Sequence, residues 1–295
     1  MSRLDVRKTY KLYIGGAFPR SESGRSYEVV SASGEFLANV SMGSRKDVRD
    51  AVGAARSAQR GWAAATAYNR GQVLYRVAEI LEGRRGQFVD EVAAAEGLTP
   101  RGAAASVEAA IDRLVWYAGW TDKVAQVLGN LNPVAGPFFN VSVPEPTGVV
   151  GVLAPQGSSL LGLVSVVAPV IATGNTAVVL SSADRPLPAV TLGEVFATSD
   201  LPGGVVNIIT ARTAEVAPWL ASHRDVNAID LTGAAGVDDL VWGELEAAAA
   251  DNLKRVLRPT VAGNVAVEPD WSADPGLGRL RAFLETKTVW HPKGI

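Results

Sequence analysis

Short apolar runs alternate with helix-length segments from Val149 onward, and this alternation restricts the fold more than any other feature of the chain. Each run is almost continuously apolar, as strands are when both faces of their sheet are covered. Strands separated by helices form parallel sheets through right-handed crossovers. The sequence therefore predicts an α/β fold with a parallel, doubly wound sheet. Its four predicted strands are VVGVLAP, TAVVLSS, GVVNIIT and AIDLTG, which begin at Val149, Thr176, Gly204 and Ala228.

The segments between these runs, and most of the chain before them, are predicted to be helical. An opening ribbon of small strands extends from Tyr10 to Val40, and Ser44 then precedes Asp47 at the spacing of a capping box. The segment 160–173 is too short to span a bilayer and is predicted to be a buried helix. The other predicted helices are 44–62, 70–84, 87–95, 102–127, 189–198, 214–222 and 238–250.

Two segments do not fit this alternation and are predicted to form strands outside the main sheet. The run FFNVSVPEP, Phe138–Pro146, interrupts the α/β region and is predicted to contain one or two exposed strands. The run ETKTVW, residues 285–290, alternates as an edge strand does. The two segments could pair with each other as a projecting antiparallel β-arm.

The composition excludes several classes of function. The 28 Lys and Arg residues nearly balance the 30 Asp and Glu residues, so the chain has no broad positive field for nucleic acid or an anionic membrane. The absence of cysteine removes disulfides, thiolate metal sites and thiol catalysis. No spacing of histidine and carboxylate residues suggests a metal site. The basic start is not followed by the apolar core of a signal peptide, so we expect a cytoplasmic location.

Several motifs occur in a distinctive order along the chain. The motifs near the front are YIGGAF, SGRSYEVV, DVRDAVGAARSAQRGW, LYRVAEILEGRR and WYAGWTDK. Those that follow are EPTGVVGVLAP, ATGNTAVVL, LPGGVVNIIT and LTGAAG. Their order resembles that of the aldehyde dehydrogenase superfamily over roughly residues 10–257. The resemblance implies that the predicted sheet is a nucleotide-binding-like sheet of the aldehyde dehydrogenase type.

The resemblance breaks after the segment NLKRV, residues 252–256. Enzymes of the superfamily enter a second α/β domain there, which holds the nucleophilic cysteine. This chain passes through GNVAVEPDWSADPG into residues 278–290, which resemble the superfamily's terminal strand. The resemblance thus implies a truncated member without the catalytic domain. Residues 1–136 and 147–274 are then a discontinuous nucleotide-binding-like domain, and residues 137–146 and 284–295 are a β-arm of the oligomerisation type.

The resemblance also implies that three catalytic roles are unfilled. The superfamily's reaction needs a nucleophilic thiol, a donor for the oxyanion and a base that activates water. The chain has no cysteine, Gly157 occupies the position of the oxyanion-hole asparagine, and Pro259 occupies that of the general-base glutamate. Ser158 and Ser159 have no histidine near them in sequence that could activate a hydroxyl. No catalytic residue is therefore predicted.

Three positions are candidates for a residual cofactor site. The superfamily's KPSE motif, which holds the adenosine ribose, corresponds to residues 181–184, so Ser181 replaces the lysine and Asp184 could still accept from a ribose hydroxyl. Gly233 persists in the loop that lies near the pyrophosphate, although simple turn geometry is an alternative reason for this glycine. Asp238 would place a carboxylate where phosphate lies, and Thr213 replaces a glycine. We therefore expect NAD or NADP to bind weakly or not at all.

The predicted arm leads to the main functional hypothesis. In the superfamily the corresponding strands reach across a dimer to the neighbour's catalytic domain, and an uncovered edge on FFNVSV would promote aggregation. The favoured interpretation is a non-catalytic pseudoenzyme that assembles with a full-length aldehyde dehydrogenase and stabilises or regulates it. One alternative is an NAD(P)-dependent aldehyde oxidoreductase that is active only with residues from a partner. Another is a scaffold that self-assembles through the arm.

Overall fold

The computed structural model describes residues 8–263 and 265–294 of the chain. The predictions made for residues 1–7 and for the last residue of the arm fall outside the described residues, as does position 264.

The front half forms a small sheet followed by five helices. Strands β1 (Thr9–Tyr10), β2 (Ser26–Val30) and β3 (Phe36–Ser41) pair in the order β1-β3-β2. Ser44 and Asp47 form the predicted capping box at the start of the first helix. The helices are α1 (Arg45–Ala64), α2 (Ala67–Gly83), α3 (Arg85–Glu96), α4 (Pro100–Trp120) and α5 (Val124–Leu128).

The single helix predicted for residues 102–127 is wrong. The α-helical ladder ends after Trp120, because the Thr121 amide donates to the Ala118 carbonyl three residues back. Thr121 is held in this turn by α2: a Cβ built on Gly71 would lie 2.7 Å from its Oγ1 atom. The Thr121 hydroxyl also donates to the Ala118 carbonyl at 2.9 Å, so the helix ends where it packs closely on α2, within a segment whose periodicity is helical throughout.

Two strands follow, β4 (Asn130–Asn132) and β5 (Phe138–Pro146), and the chain then enters the α/β region. The strands there are β6 (Val149–Leu153), β7 (Thr176–Leu180), β8 (Val206–Ile209), β9 (Ala228–Asp230) and β10 (Arg255–Leu257). The helices between them are α6 (Leu161–Ala172), α7 (Leu187–Ala197), α8 (Thr213–Ser222) and α9 (Trp242–Ala250).

The predicted parallel, doubly wound sheet is confirmed. All strand pairs are parallel, and the order is β10-β9-β6-β7-β8. The fifth strand, β10, was not predicted, because its three residues carry too little apolar pattern. The chain adds β7 and β8 on one side of β6 and then crosses to place β9 on the other. The sheet therefore has a switch point between β6 and β9.

Both faces of the sheet are covered, as the continuous apolar strands require. Residues of α1, α8 and α9 pack with Val178 and Ile229 in one apolar cluster. Residues of α2–α4, α6 and α7 pack with the neighbouring strand residue Val179 in the other. Helix α6 is buried along all of its 12 residues, as predicted. Among the described residues, no helix combines the length and apolarity needed to cross a bilayer.

Helix α9 begins later than the predicted residue 238. Gly236 and Asp239 have φ of 74° and 60°, in the left-handed region, so the chain between Gly233 and Trp242 does not continue as an α-helix. The α-helix starts only at Trp242, and the loop after β9 contains instead a single 3₁₀ turn at Thr232–Ala234.

A hairpin of β11 (Thr260–Ala262) and β12 (Val265–Val267), a short helix α10 (Gly278–Ala282) and a terminal strand β13 (Leu284–Pro292) complete the described chain. Residues 258–283, here called the closing segment, contain the hairpin and α10. Neither element was predicted. The described part of the closing segment holds no further helix or strand and thus no second α/β domain.

Strand β13 pairs antiparallel with β5 from Leu284 opposite Pro146 to Pro292 opposite Phe138. Strand β4 pairs with the other side of β5, and these three strands are here called the arm. The expectation that FFNVSV presents an uncovered edge is wrong, because β5 is the central strand. Ser142 is bonded on both sides, to Asn132 Nδ2 at 2.8 Å and to Thr288 Oγ1 at 2.8 Å. Among the described residues, the outer edges of the arm belong to β13 and β4, and β4 covers only residues 140–142 of β5 on its side.

Candidate functional site

A cleft of about 440 Å³ lies at the carboxyl ends of β6, β7 and β9. This is the switch point of the sheet, where open α/β sheets bind their ligands. The loops after these strands contribute residues 156–157, 182, 184–185 and 235–236 to its walls. The closing segment contributes residues 266–268 to the opposite wall. We call it the switch cleft.

Gln156 holds two walls of the switch cleft together. Its Nε2 donates to the Ala154 carbonyl at 2.8 Å, and its Oε1 accepts from the Ala183 amide at 3.0 Å. The Ser182 hydroxyl donates to the Gln156 carbonyl at 3.1 Å. One glutamine side chain therefore fixes the end of β6 against the end of β7 with its own hydrogen bonds.

Gly157 lies in the switch cleft at the position predicted for the oxyanion donor. It has no side chain, and its amide donates to Glu268 Oε1 at 2.6 Å. Its carbonyl accepts from Arg185 Nη1 at 2.5 Å. Both polar groups of this residue are thus already used by the chain itself.

Glu268 comes from the closing segment and was not predicted as a site residue. Its second oxygen, Oε2, accepts from Trp271 Nε1 at 3.0 Å. Arg113 Nη2 in turn donates to the carbonyls of Trp271 and Ala273 at 2.8 and 2.9 Å. The carboxylate in the switch cleft is therefore supported by a side chain from α4.

Beneath the closing segment lies a buried polar cluster at the end of β9. Arg279 Nη1 donates to Asp230 Oδ2 at 2.7 Å, and the Thr232 amide donates to Asp230 Oδ1 at 2.9 Å. Burial raises the pKa of Tyr117 to about 12, and its hydroxyl has no partner among the described residues. Burial also lowers the pKa of Arg113. Arg113 and Tyr117 are four residues apart in an otherwise apolar helix face, the one sequence signal that could have identified this cluster.

Of the candidate cofactor residues, only Asp184 lines the switch cleft. Its Oδ1 lies 3.3 Å from Arg212 Nη1, and the Arg212 guanidinium lies over the Tyr27 ring at 5.0 Å. Ser181 is buried, and its hydroxyl donates to the Ser182 carbonyl at 3.3 Å. Of these two positions, Asp184 is therefore available in the cleft and Ser181 is not.

Gly233 also lies outside the cleft wall. It is needed because a Cβ there would lie 2.1 Å from the Ala154 carbonyl oxygen and 2.3 Å from that of Leu153. Its φ is not in the left-handed region, so close packing against the end of β6, rather than turn geometry, explains this glycine. Asp238 is exposed and does not line the switch cleft.

The remaining predicted positions carry no reactive group. Pro259 is buried between β10 and β11, away from the cleft wall. Ser158 Oγ accepts from the Gly162 amide at 2.9 Å, and Ser159 Oγ donates to Glu96 Oε1 at 2.6 Å. Ser158 thus bonds the first turn of α6, and Ser159 ties the segment before α6 to α3. Among the described residues there is also no cluster of three potential metal ligands.

The switch cleft offers no free amide at Gly157 for the phosphates of a dinucleotide. A pyrophosphate needs free backbone amides, typically at a helix N-terminus. The Gly157 amide is taken by a carboxylate, and α9 begins at Trp242, beyond the loop that holds Gly233. A phosphate at Gly157 would also face the negative charge of Glu268.

Comparison with known proteins assigns this architecture to a family. A model described as "Aldehyde dehydrogenase family" matches residues 18–264. The chain is 32% identical to aldehyde dehydrogenase, cytosolic 1, of Elephantulus edwardii over 276 residues, which cover 90% of the chain and 53% of that protein. It is 31% identical to omega-crystallin of Enteroctopus dofleini over 272 residues, which cover 90% of the chain and 54% of that protein.

Solved structures give the same relationship. HpcC from Thermus thermophilus matches with a TM-score of 0.78 and 27% identity, over 84% of this chain and 47% of that one. Aldehyde dehydrogenase from Bacillus cereus, solved as an NAD⁺ complex, matches with a TM-score of 0.77 and 26% identity, over 84% of this chain and 50% of that one. The chain thus spans about half the length of the relatives it matches.

Proposed function

The chain belongs to the aldehyde dehydrogenase family, and on that premise we propose that it is a non-catalytic member that assembles with a full-length aldehyde dehydrogenase and stabilises or regulates it. The closing segment supports this most directly. It connects β10 to β13 through a hairpin and one short helix, and the sequence contains no cysteine. Family-type aldehyde oxidation forms a covalent bond to a thiolate, and no group here can form it.

The side chains present also do not supply the other two catalytic groups, the oxyanion donor and the general base. Gly157 offers no side-chain donor for an oxyanion, and its amide is bonded to Glu268. Pro259 cannot act as a base. The Bacillus cereus relative was solved with NAD⁺, whereas in this chain the Gly157 amide in the switch cleft is already bonded to Glu268.

The arm supports assembly with a partner. Leu131, Val141 and Val289 are direct cross-strand neighbours and therefore lie on one face of the arm, and Phe139, two residues from Val141, lies on the same face. Leu131 is 65% and Phe139 47% exposed. These four residues are here called the arm face. Exposed apolar patches of this kind mark interaction sites.

The purified chain is expected to form no NADH from NAD⁺ in the presence of aldehydes. The reason is the missing thiolate, without which the family's covalent step cannot begin. Absorbance at the NADH band, followed over a panel of aliphatic and aromatic aldehydes, measures this. Robust aldehyde-dependent NADH formation by the homogeneous chain would contradict the proposal. Turnover that appears only when a full-length family member is added, above that member's own rate, would favour the shared-site alternative.

Changing the arm face to Leu131→Lys with Phe139→Lys is expected to weaken assembly at least about tenfold, because apolar anchors dominate such interfaces. The tagged chain is purified from its own cell, and a co-purified full-length aldehyde dehydrogenase is identified by mass spectrometry and quantified. Tyr68→Lys on α2 is the matched control, since Tyr68 is 67% exposed but distant in sequence from the arm. A monodisperse monomer with no such enzyme attached contradicts assembly, and a homo-oligomer lost on the same change indicates the scaffold alternative.

A further inference from the structure

We propose that the Glu268 carboxylate is a built-in ligand of the switch cleft, which fills the anion position at the Gly157 amide and excludes other anions, such as phosphate or a small carboxylate, from that position. This inference goes beyond the proposed function, because assembly through the arm does not require a closed cleft.

The geometry of the carboxylate is that of a bound ligand. Each oxygen accepts one hydrogen bond, from the Gly157 amide at 2.6 Å and from Trp271 Nε1 at 3.0 Å. The two donors belong to different parts of the fold, the loop after β6 and the closing segment. Hydrogen bonds to an ionised acceptor are stronger than neutral ones, so both favour occupancy by the carboxylate.

The closing segment is fixed where it delivers this carboxylate. Arg113 is buried on α4 and bonds the backbone at Trp271 and Ala273. Arg279 lies over the Trp271 ring at 5.3 Å and bonds the buried Asp230. Two arginines thus hold both sides of the turn that carries Trp271, and Glu268 is preorganised rather than free to leave the cleft.

A phosphate group must therefore displace Glu268 before it can reach the Gly157 amide. It would break the charge-assisted hydrogen bond from the Gly157 amide and would meet the displaced carboxylate as a like charge. A small carboxylate would face the same barrier. The cleft is expected to accept either anion only after the Glu268 side chain is removed.

The variants Glu268→Ala and Glu268→Gln distinguish the effect of emptying the anion position from the effect of removing its negative charge. The first leaves the anion position empty, whereas the second keeps it filled by an amide. Inorganic pyrophosphate, measured by titration calorimetry, is expected to bind Glu268→Ala at least about tenfold more tightly than the parent chain, the equivalent of one charge-assisted bond. Acetate is expected to raise the thermal midpoint of Glu268→Ala but not that of Glu268→Gln or of the parent.

Glu35→Ala is the matched control, because Glu35 is exposed in the turn between β2 and β3 and lines no part of the switch cleft. The inference is overturned if pyrophosphate binds the parent and Glu268→Ala equally, or if acetate acts alike on all variants. Circular dichroism verifies that each variant is folded. Arm-dependent co-purification would be unaffected by either result, so the two proposals fail separately.

Discussion

Arg279→Ala is expected to lower the free energy of unfolding by about 3–5 kcal/mol, because removing one partner of a buried ion pair leaves the other charge uncompensated. Asp230 is 0% exposed, and Arg279 is the cation that neutralises it, through Nη1 at 2.7 Å. Arg279 Nη2 also donates to Thr232 Oγ1 at 2.9 Å. The alanine variant leaves the Asp230 carboxylate buried with only hydrogen bonds from Thr232.

Arg281→Ala provides the comparison, because Arg281 lies on the same short helix but is exposed. Its unfolding free energy is expected to stay within about 0.5 kcal/mol of the parent. Urea titration followed by circular dichroism measures both variants. Equal stability of the two variants would mean that the buried pair does not hold the closing segment. If it does hold the segment, Arg279→Ala should also let pyrophosphate reach the Gly157 amide.

The central sheet could be predicted because its signals are local. Each of the runs at β6, β7 and β8 is apolar at nearly every position, and each is followed by a helix-length segment. The elements that were missed depend on tertiary contacts or on single dihedrals. The turn at Thr121 lies where α4 packs closely on Gly71 of α2, and the late start of α9 follows a positive φ at Asp239. Periodicity reveals neither feature.

The candidate site likewise contains residues that the sequence predicts and one that depends on a tertiary contact. Gly157 and Asp184 meet in one cleft because the carboxyl ends of parallel strands share one edge of the sheet, which the topology already implies. Glu268 could not be predicted, because its partner Gly157 lies 111 residues away and no local pattern joins them. The family resemblance identified positions that the enzymes use, such as that of Gly157. It gave no information on Glu268, which lies after residue 257, where the resemblance breaks.

Gly233 is the second residue whose substitution is expected to change the stability of the fold strongly. Superfamily members keep a glycine in this loop near the cofactor, so its presence here could indicate a retained ligand site. The structure gives another reason, since a Cβ would lie 2.1 and 2.3 Å from two carbonyl oxygens of the β6 end. These are backbone atoms of the central strand, which cannot move aside without breaking sheet hydrogen bonds.

Gly233→Ala is therefore expected to destabilise the fold by about 3 kcal/mol or more, above the usual range for overpacking. Gly243→Ala is its control: nothing lies within 4 Å of a Cβ at this position of α9, and alanine should stabilise the helix by about 0.5–1 kcal/mol. Chemical denaturation of both variants measures the difference. If Gly233→Ala were as stable as the parent, close packing would not explain the glycine, and a ligand role at this loop would regain support. A large loss with no change in pyrophosphate binding would show that the fold alone requires this residue.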